Sequence, residues 1–177
     1  STPDPSWLDL ASLTLETTTE VVTFSYEGQY AMNGNDSIYI EQHPISMIVG
    51  IDAGILTGTP GDDLIWGSAG IDTLTGGGGN DTFLYNSANK SNDLINNFTV
   101  SGGGDEKDSL DLSDLLVGFN AVSSTFSDFL DVTNDGSNTF VKVDEDGNGS
   151  GFSDMTLTLE GVITDLDDLK NNEQLIL

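Results

Sequence analysis

The sequence predicts a mostly β fold, in which a parallel β-roll of nine-residue repeats continues into a β-rich C-terminal capping segment with little helix. Three observations support this prediction. Glycine and aspartate recur with a period of nine between Gly58 and Leu84. Thr- and Val-rich stretches outside that region alternate polar and apolar side chains, as half-buried strands do. No stretch between Gly28 and Leu84 keeps a helical period.

The regular repeats read GTPGDDLIW, GSAGIDTLT and GGGGNDTFL. In each repeat six residues fit a tight turn and three fit a short strand, so that two repeats complete one coil of the roll. Glycine provides the backbone conformations that such a turn needs. The sixth position always holds aspartate, and the eighth holds a large apolar residue expected to point inward: Asp63, Asp72 and Asp81, and Ile65, Leu74 and Phe83.

Residues 10–26 are expected to form one or two strands, and residues 1–30 to be an N-terminal cap or the end of a preceding module. The roll is expected over 31–84, degenerate over 31–57 and regular from Gly58 onward. AMNGNDSIY places Asp36 in the repeat position, and IEQHPISMI and VGIDAGILT keep the nine-residue spacing. The N-terminus lacks the basic start and apolar core of a cleavable signal and resembles a cut from a longer chain.

Residues 85–177 are expected to form a C-terminal β-rich cap that includes a secretion signal region. The polar and glycine-rich stretches after Tyr85 separate short apolar segments. The predicted elements are strands at 93–98 and 109–112, a helix capped by Ser113 and ended by Gly118, a hairpin turning at 134–137, a strand at 155–159, and a tail with one acidic helix and a last apolar strand.

The charge of the chain predicts a cation as its partner. Thirty acidic residues face four lysines and no arginine, giving a formal net charge of -26. A compact chain of this charge repels itself and disfavours nucleic acid and anionic membranes as partners. Of the acidic residues 22 are Asp and eight are Glu, and Asp is a common carboxylate in calcium loops. With no cysteine and His43 as the one histidine, beside Pro44, no catalytic pairing has support, and we expect no enzyme activity and no membrane insertion.

Oxygen ligands at this density suit calcium. Because successive turns lie on opposite sides of a roll, alternate repeats should pair, and Asp63 and Asp81 should share one ion. Asp72 lies on the other side, where its upstream neighbour has Gly54 in the aspartate position, so that site is expected to be weaker. Asp36 would form a similar incomplete site. The carbonyl ligands are expected from Thr59, Gly61, Gly76 and Gly78 on the first side, and from Gly67 and Ala69 on the second.

A different kind of calcium site is an open alternative at DEDGNGSGFSD. Asp144, Asp146 and Asn148 occupy positions one, three and five of an EF-hand-like loop with Gly149 at six, but Met155 stands where a bidentate Glu belongs. The other interpretation is a plain polar hairpin loop. DSLDLSDLL could also present Asp108, Asp111 and Asp114 to an ion, although a strand edge and a helix cap explain this stretch better.

The tandem repeats resemble those of RTX (repeats-in-toxin) proteins. The segment after them, NDLINNF, DSLDLSDLL, VKVDEDGNGSGFSDMTLTLEGV and an apolar tail, resembles the C-terminal target domain of type I secretion substrates, especially large bacterial surface adhesins. The resemblance covers 58–177. Thr59 and Ser68 depart from it by replacing the second glycine of the motif, and Ile71 is an unusual apolar residue in a turn.

This resemblance implies a monomeric module without chemistry of its own, secreted or held at the surface of a Gram-negative bacterium. It implies export through an ABC transporter, a membrane fusion protein and an outer-membrane channel, directed by an uncleaved signal near the C-terminus. Calcium would fold the chain outside the cell. Two alternatives are the RTX tail of a secreted protease or lipase, and a calcium-dependent glycan-binding module. An ice-binding role lacks the outward ladder of Thr and Asn that it needs.

Overall fold

The computed structural model describes residues 19–23, 46–50, 53–101, 106–120, 124–148, 152 and 155–177. In this part of the chain short strands predominate and two short helices occur. The strands are β1 Thr19–Thr23, β2 Ser46–Gly50, β3 Ile55–Thr57, β4 Asp63–Trp66, β5 Thr73–Thr75, β6 Thr82–Asn86, β7 Leu94–Asn96, β8 Ser109–Asp114, β9 Leu130–Asn134, β10 Thr139–Val143, β11 Met155–Leu159 and β12 Leu175–Ile176; the helices are α1 Phe126–Phe129 and α2 Leu166–Asn171.

The predicted roll is present. From β2 to β8 the chain alternates between two sheets, ordered β1-β2-β4-β6-β8-β12 and β3-β5-β7-β11-β10-β9. Strand β4 pairs in parallel with β6, placing Ile65 beside Phe83, and β3 pairs with β5, placing Leu56 beside Leu74. These partners are two repeats apart, which confirms that two nine-residue repeats make one coil.

A thin apolar core lies between the two sheets. Ile65, Leu74 and Phe83, the predicted inward residues, are each 0% exposed. Each sheet contributes a row of inward-facing side chains, and the neighbouring strands extend both rows. This is because alternate residues of strands paired in register lie on the same face of a sheet. Other buried members of the core include Ile48, Leu56, Ile95, Leu110 and Leu159.

The nine-residue spacing predicted upstream of Gly58 is wrong by one residue at β2. Ile48 pairs with Ile65 and is fully buried, whereas the nine-residue frame places Met47 in that row. A shift of one residue exchanges the two faces of a strand, and here it places Ile48 in the core and leaves Met47 and Val49 half-buried on the other face. VGIDAGILT does keep the predicted frame, since its Leu56 lies in the core beside Leu74.

Parallel pairing continues beyond Leu84, after longer turns. Strand β7 pairs with β5, and β8 pairs with β6. The predicted hairpin forms between β9 and β10, and β11 joins it to the edge of β7. The tail ends as predicted in a short helix and a strand, and β12 pairs with β8 to close its sheet.

The helix expected from Ser113 to Gly118 does not form. Strand β8 continues to Asp114, and the amides of Leu115 and Leu116 both donate to the Leu112 carbonyl, 2.9 and 3.2 Å away, in a single turn. The Ser113 hydroxyl donates to Asp111 at 2.6 Å and caps no helix. The short helix α1 lies further along the chain. No helix in the described ranges is long and apolar enough to cross a membrane.

Candidate metal site in the turns of the roll

Two columns of buried aspartates run along the roll at the starts of its strands. The first column belongs to β4, β6 and β8, and the second to β5 and β7. The strand pairing stacks these positions because Thr82 lies opposite Ser109 and Thr73 lies opposite Leu94. All five residues are at most 2% exposed: Asp63, Asp81 and Asp108 form the first column, and Asp72 and Asp93 form the second.

Asp93 and Asp108 were not predicted as column members. From the sequence, Asp93 is expected at the start of a strand and Asp108 at a strand edge. Their turns are longer than six residues, so the period of nine no longer reveals them. A shorter signal does: Asp, any residue, then a large apolar residue, as in DLI and DSL. The structure therefore extends both predicted aspartate rows by one coil.

A ladder of hydrogen bonds joins every column aspartate except Asp63 to the coil before it. In every rung one carboxylate oxygen accepts the backbone amide of the residue that occupies the same position one coil earlier. The carboxylates are thus held along the gaps between turns. The rungs are Asp63 N to Asp81 Oδ1 at 3.0 Å, Asp81 N to Asp108 Oδ1 at 2.9 Å, Gly54 N to Asp72 Oδ1 at 2.6 Å, and Asp72 N to Asp93 Oδ1 at 2.8 Å.

Asp81 differs from the others because its second carboxylate oxygen has no hydrogen-bond partner. Asp81 Oδ2 is buried and accepts no hydrogen bond within the described residues. Asp108 Oδ2 accepts the Thr99 amide at 2.8 Å, and Asp93 Oδ2 accepts the Tyr85 hydroxyl at 3.1 Å. An unsatisfied carboxylate oxygen in the interior costs free energy unless a cation or proton joins it.

The electrostatics of the columns also favour a cation. Burial, followed by the negative charge of Asp108, raises the pKa of Asp81 from 3.8 to about 7. Burial also raises the pKa of Asp93 and of Asp108. Since the pKa of folded Asp81 exceeds that of the unfolded chain, its contribution favours the calcium-free fold at acidic pH, and that contribution is lost as pH rises from 3.8 through about 7.

The lysines pair with carboxylates outside both columns. Lys107 lies 3.5 Å from Glu173 and Lys170 lies 3.3 Å from Asp167. Lys142 lies 3.2 Å from Asp131 on the neighbouring strand, and Lys90 contacts Glu145 at 2.6 Å. None of these four ion pairs includes a column aspartate.

Several predicted ligands of the first side lie together where the turn at 58–62 stacks on the turn at 76–80. A Cβ built on Gly58 would lie 1.8 Å from the Gly76 carbonyl oxygen and 2.6 Å from Asp63 Oδ2, so both oxygens face this glycine. Carboxylate and carbonyl oxygens are the ligands that calcium takes. The Thr59 carbonyl accepts the Gly78 amide at 3.1 Å, and the Gly61 backbone lies against Gly79.

The second side has a partner that the sequence did not reveal. A Cβ built on Gly67 would lie 2.9 Å from Asp72 Oδ2 and 3.4 Å from Asp93 Oδ2, so this buried glycine faces two carboxylates. Ala69, the other predicted carbonyl ligand, is exposed in the same turn. Asp36 lies outside the described residues.

The EF-hand-like stretch forms local turns. Asp144 Oδ1 accepts the Gly147 amide at 3.2 Å, and Asp146 Oδ1 accepts the Asn148 amide at 3.1 Å. The latter bond lowers the pKa of the exposed Asp146. Gly149 lies outside the described residues. Within the described ranges no three His, Cys, Asp or Glu side chains converge as a metal cluster, here or in the roll. A calcium site at this loop stays a prediction.

Comparison with protein families matches residues 57–89 to the RTX calcium-binding nonapeptide repeat, in four copies. The chain carries calcium-binding RTX repeats. Comparison with curated proteins finds no match. Among solved structures the chain is similar to the solution structure of the AlgE6R3 subunit from the Azotobacter vinelandii mannuronan C5-epimerase, with a TM-score of 0.50, 28% identity, and coverage of 75% of this chain and 72% of that chain. Both findings agree with a calcium-binding roll.

Proposed function

We propose that this chain is the calcium-folded, type I secretion-targeting C-terminal module of a giant RTX adhesin. The observation that supports calcium-dependent folding most strongly is the buried Asp81 carboxylate, which has one unpartnered oxygen inside a column of aspartates. The module has no catalytic role in this proposal. It is a monomer on or outside a Gram-negative cell, and its partners are calcium and the ABC transporter, membrane fusion protein and outer-membrane channel.

In this proposal one ion lies between the turns of Asp63 and Asp81, with carbonyl ligands from the same two turns. A second lies at Asp72, which Asp93 supports from the next coil. Calcium bound by the folded form alone contributes about 2.7 kcal/mol for each site at a hundred times its dissociation constant. Two or three sites would contribute roughly 5 to 8 kcal/mol, comparable with the whole stability of a domain. Low cytosolic calcium would leave the chain unfolded for export.

A second candidate is supported by the similarity to the AlgE6R3 subunit. In this alternative the chain is the non-catalytic tail of a secreted enzyme, and the same calcium-dependent folding serves a catalytic part elsewhere in the protein. The sequence that precedes the chain in its gene distinguishes the two candidates. Long tandem extracellular modules would support the adhesin, and a catalytic domain would support the enzyme.

Export through a type I apparatus tests the secretion role. We expect the chain, fused behind a reporter and expressed with a transporter, fusion protein and outer-membrane channel, to carry the reporter into the medium. Deletion of residues 160–177 should reduce export to background, because the proposed signal lies in this tail. Immunoblots of medium and cells measure the exported fraction.

A control variant distinguishes loss of the secretion signal from loss of stability of the fold. Leu169→Ala keeps the tail but removes a fully buried side chain of α2, a change that costs about 2–5 kcal/mol in a core. It should therefore lower stability outside the cell while leaving export unchanged. Undiminished export after deletion of 160–177 would show that the signal lies elsewhere.

A further inference from the structure

The three regular turns differ at their second residue. Thr59 and Ser68 occupy this position in the first two turns, and Gly77 occupies it in the third. Each residue lies four positions before the aspartate of its own turn. The difference therefore changes which hydrogen-bond donors are available to the aspartate, because two of the three turns carry a hydroxyl at this position and the third does not.

In the first two turns this hydroxyl donates to the aspartate. Thr59 Oγ1 lies 3.1 Å from both oxygens of Asp63, and the Thr59 amide donates to Asp63 Oδ2 at 2.6 Å. Ser68 repeats the arrangement: its hydroxyl and amide lie 3.0 and 2.6 Å from Asp72 Oδ2. The corresponding oxygen of each aspartate has two donors, which stabilise a carboxylate charge.

The third turn has neither donor. Gly77 carries no side chain, and its φ of 117° is a backbone conformation that the other two turns do not share. Asp81 Oδ2 is consequently left without a partner, although Asp81 is as buried as Asp63 and Asp72.

We infer that the Thr59 and Ser68 hydroxyls stabilise the carboxylates of Asp63 and Asp72 in place of calcium. The calcium dependence of folding is therefore concentrated at Asp81. The inference rests on the proposed calcium-driven folding. It explains why two repeats depart from glycine at the second position. The departures partly satisfy the carboxylates before any ion arrives, and they leave one carboxylate that only a cation or a proton satisfies.

Two variants that lack the hydroxyl test this inference. Thr59→Val and Ser68→Ala are compared with the unchanged chain and with Thr82→Val, a matched loss of a half-buried strand hydroxyl. Trimethylamine N-oxide, an osmolyte that strengthens effective burial, populates the calcium-free fold in chelator. The osmolyte midpoint in chelator and the urea midpoint in saturating calcium are both measured by circular dichroism.

We expect Thr59→Val and Ser68→Ala to need more osmolyte than Thr82→Val in chelator, while their urea midpoints in calcium stay close to that of the unchanged chain. Each hydroxyl also accepts an amide within its own turn, from Gly61 or Gly70. A role limited to those turn bonds would destabilise the fold equally in both conditions, raising the osmolyte midpoint and lowering the urea midpoint, and would overturn the inference. So would an unchanged chain that gains no β structure from osmolyte in chelator. Equal urea midpoints of the unchanged chain with and without calcium would instead overturn the calcium-driven folding itself.

Discussion

Asp81→Asn is expected to raise the stability of the calcium-free chain and to lower that of the calcium-loaded chain. Without calcium the substitution removes the buried negative charge of the Asp81 carboxylate. The Oδ2 atom of this carboxylate has no hydrogen-bond partner, and burial raises its pKa to about 7. With calcium it replaces a charged ligand with a neutral one. Complete loss of one site at a hundred times its dissociation constant costs about 2.7 kcal/mol. Urea unfolding in chelator with osmolyte and in saturating calcium measures both effects.

Asp114→Asn is the matched control, since it makes the same change of charge at an exposed position on β8. Relief of general self-repulsion would raise the stability of both variants in both conditions. The opposite signs at Asp81 are therefore specific to a carboxylate that needs a cation. A loss of stability in chelator as well as in calcium would contradict this account of Asp81.

Gly77→Ala is expected to disrupt the stacking of the third turn on the first. Gly77 has a φ of 117°, and a Cβ placed there would lie 2.0 Å from the Thr59 carbonyl oxygen. The backbone of one turn or the other must therefore move. This movement would also disturb the hydrogen bond that the Gly78 amide donates to the Thr59 carbonyl. The turns that hold the proposed ion would separate, so the variant should lose most of its calcium response in circular dichroism and calorimetry.

The control for this substitution is Gly136→Ala. Gly136 has a φ of 87°, but a Cβ built on it meets nothing within 4 Å. Its cost is the conformational term alone, about 1–2 kcal/mol, and calcium binding should be unchanged. Equal losses of calcium response in the two variants would mean that the close contact of Gly77 with Thr59 has no effect on calcium binding.

The regular part of the fold could be predicted because its repeats are local. The period of nine determines which side chains face inward, and Ile65, Leu74 and Phe83 lie in the core as expected. The errors occur where the period weakens. Ile48 displaces Met47 from the core row because burial and pairing with β4 decide the register there. The prediction of a helix from Ser113 is wrong because pairing with β6 keeps β8 extended as far as Asp114.

The candidate site was partly predictable for the same reason. Asp63, Asp72 and Asp81 follow from the repeat, and their pairing with the alternate coil follows from the geometry of a roll. Asp93 and Asp108 could not be found by period, since longer turns precede them and only strand pairing stacks them on the columns. The contacts of Thr59 and Ser68 with carboxylates also depend on the folded turn.

Circular dichroism of the purified chain during a calcium titration tests the central claim most directly. The chelated chain should give a disordered spectrum, because buried column carboxylates would lack a counter-cation in a chain of net charge -26. Millimolar calcium should convert that spectrum to a β-rich one, and renewed chelation should reverse the change. A β-rich spectrum that is the same in chelator and in calcium would contradict calcium-driven folding.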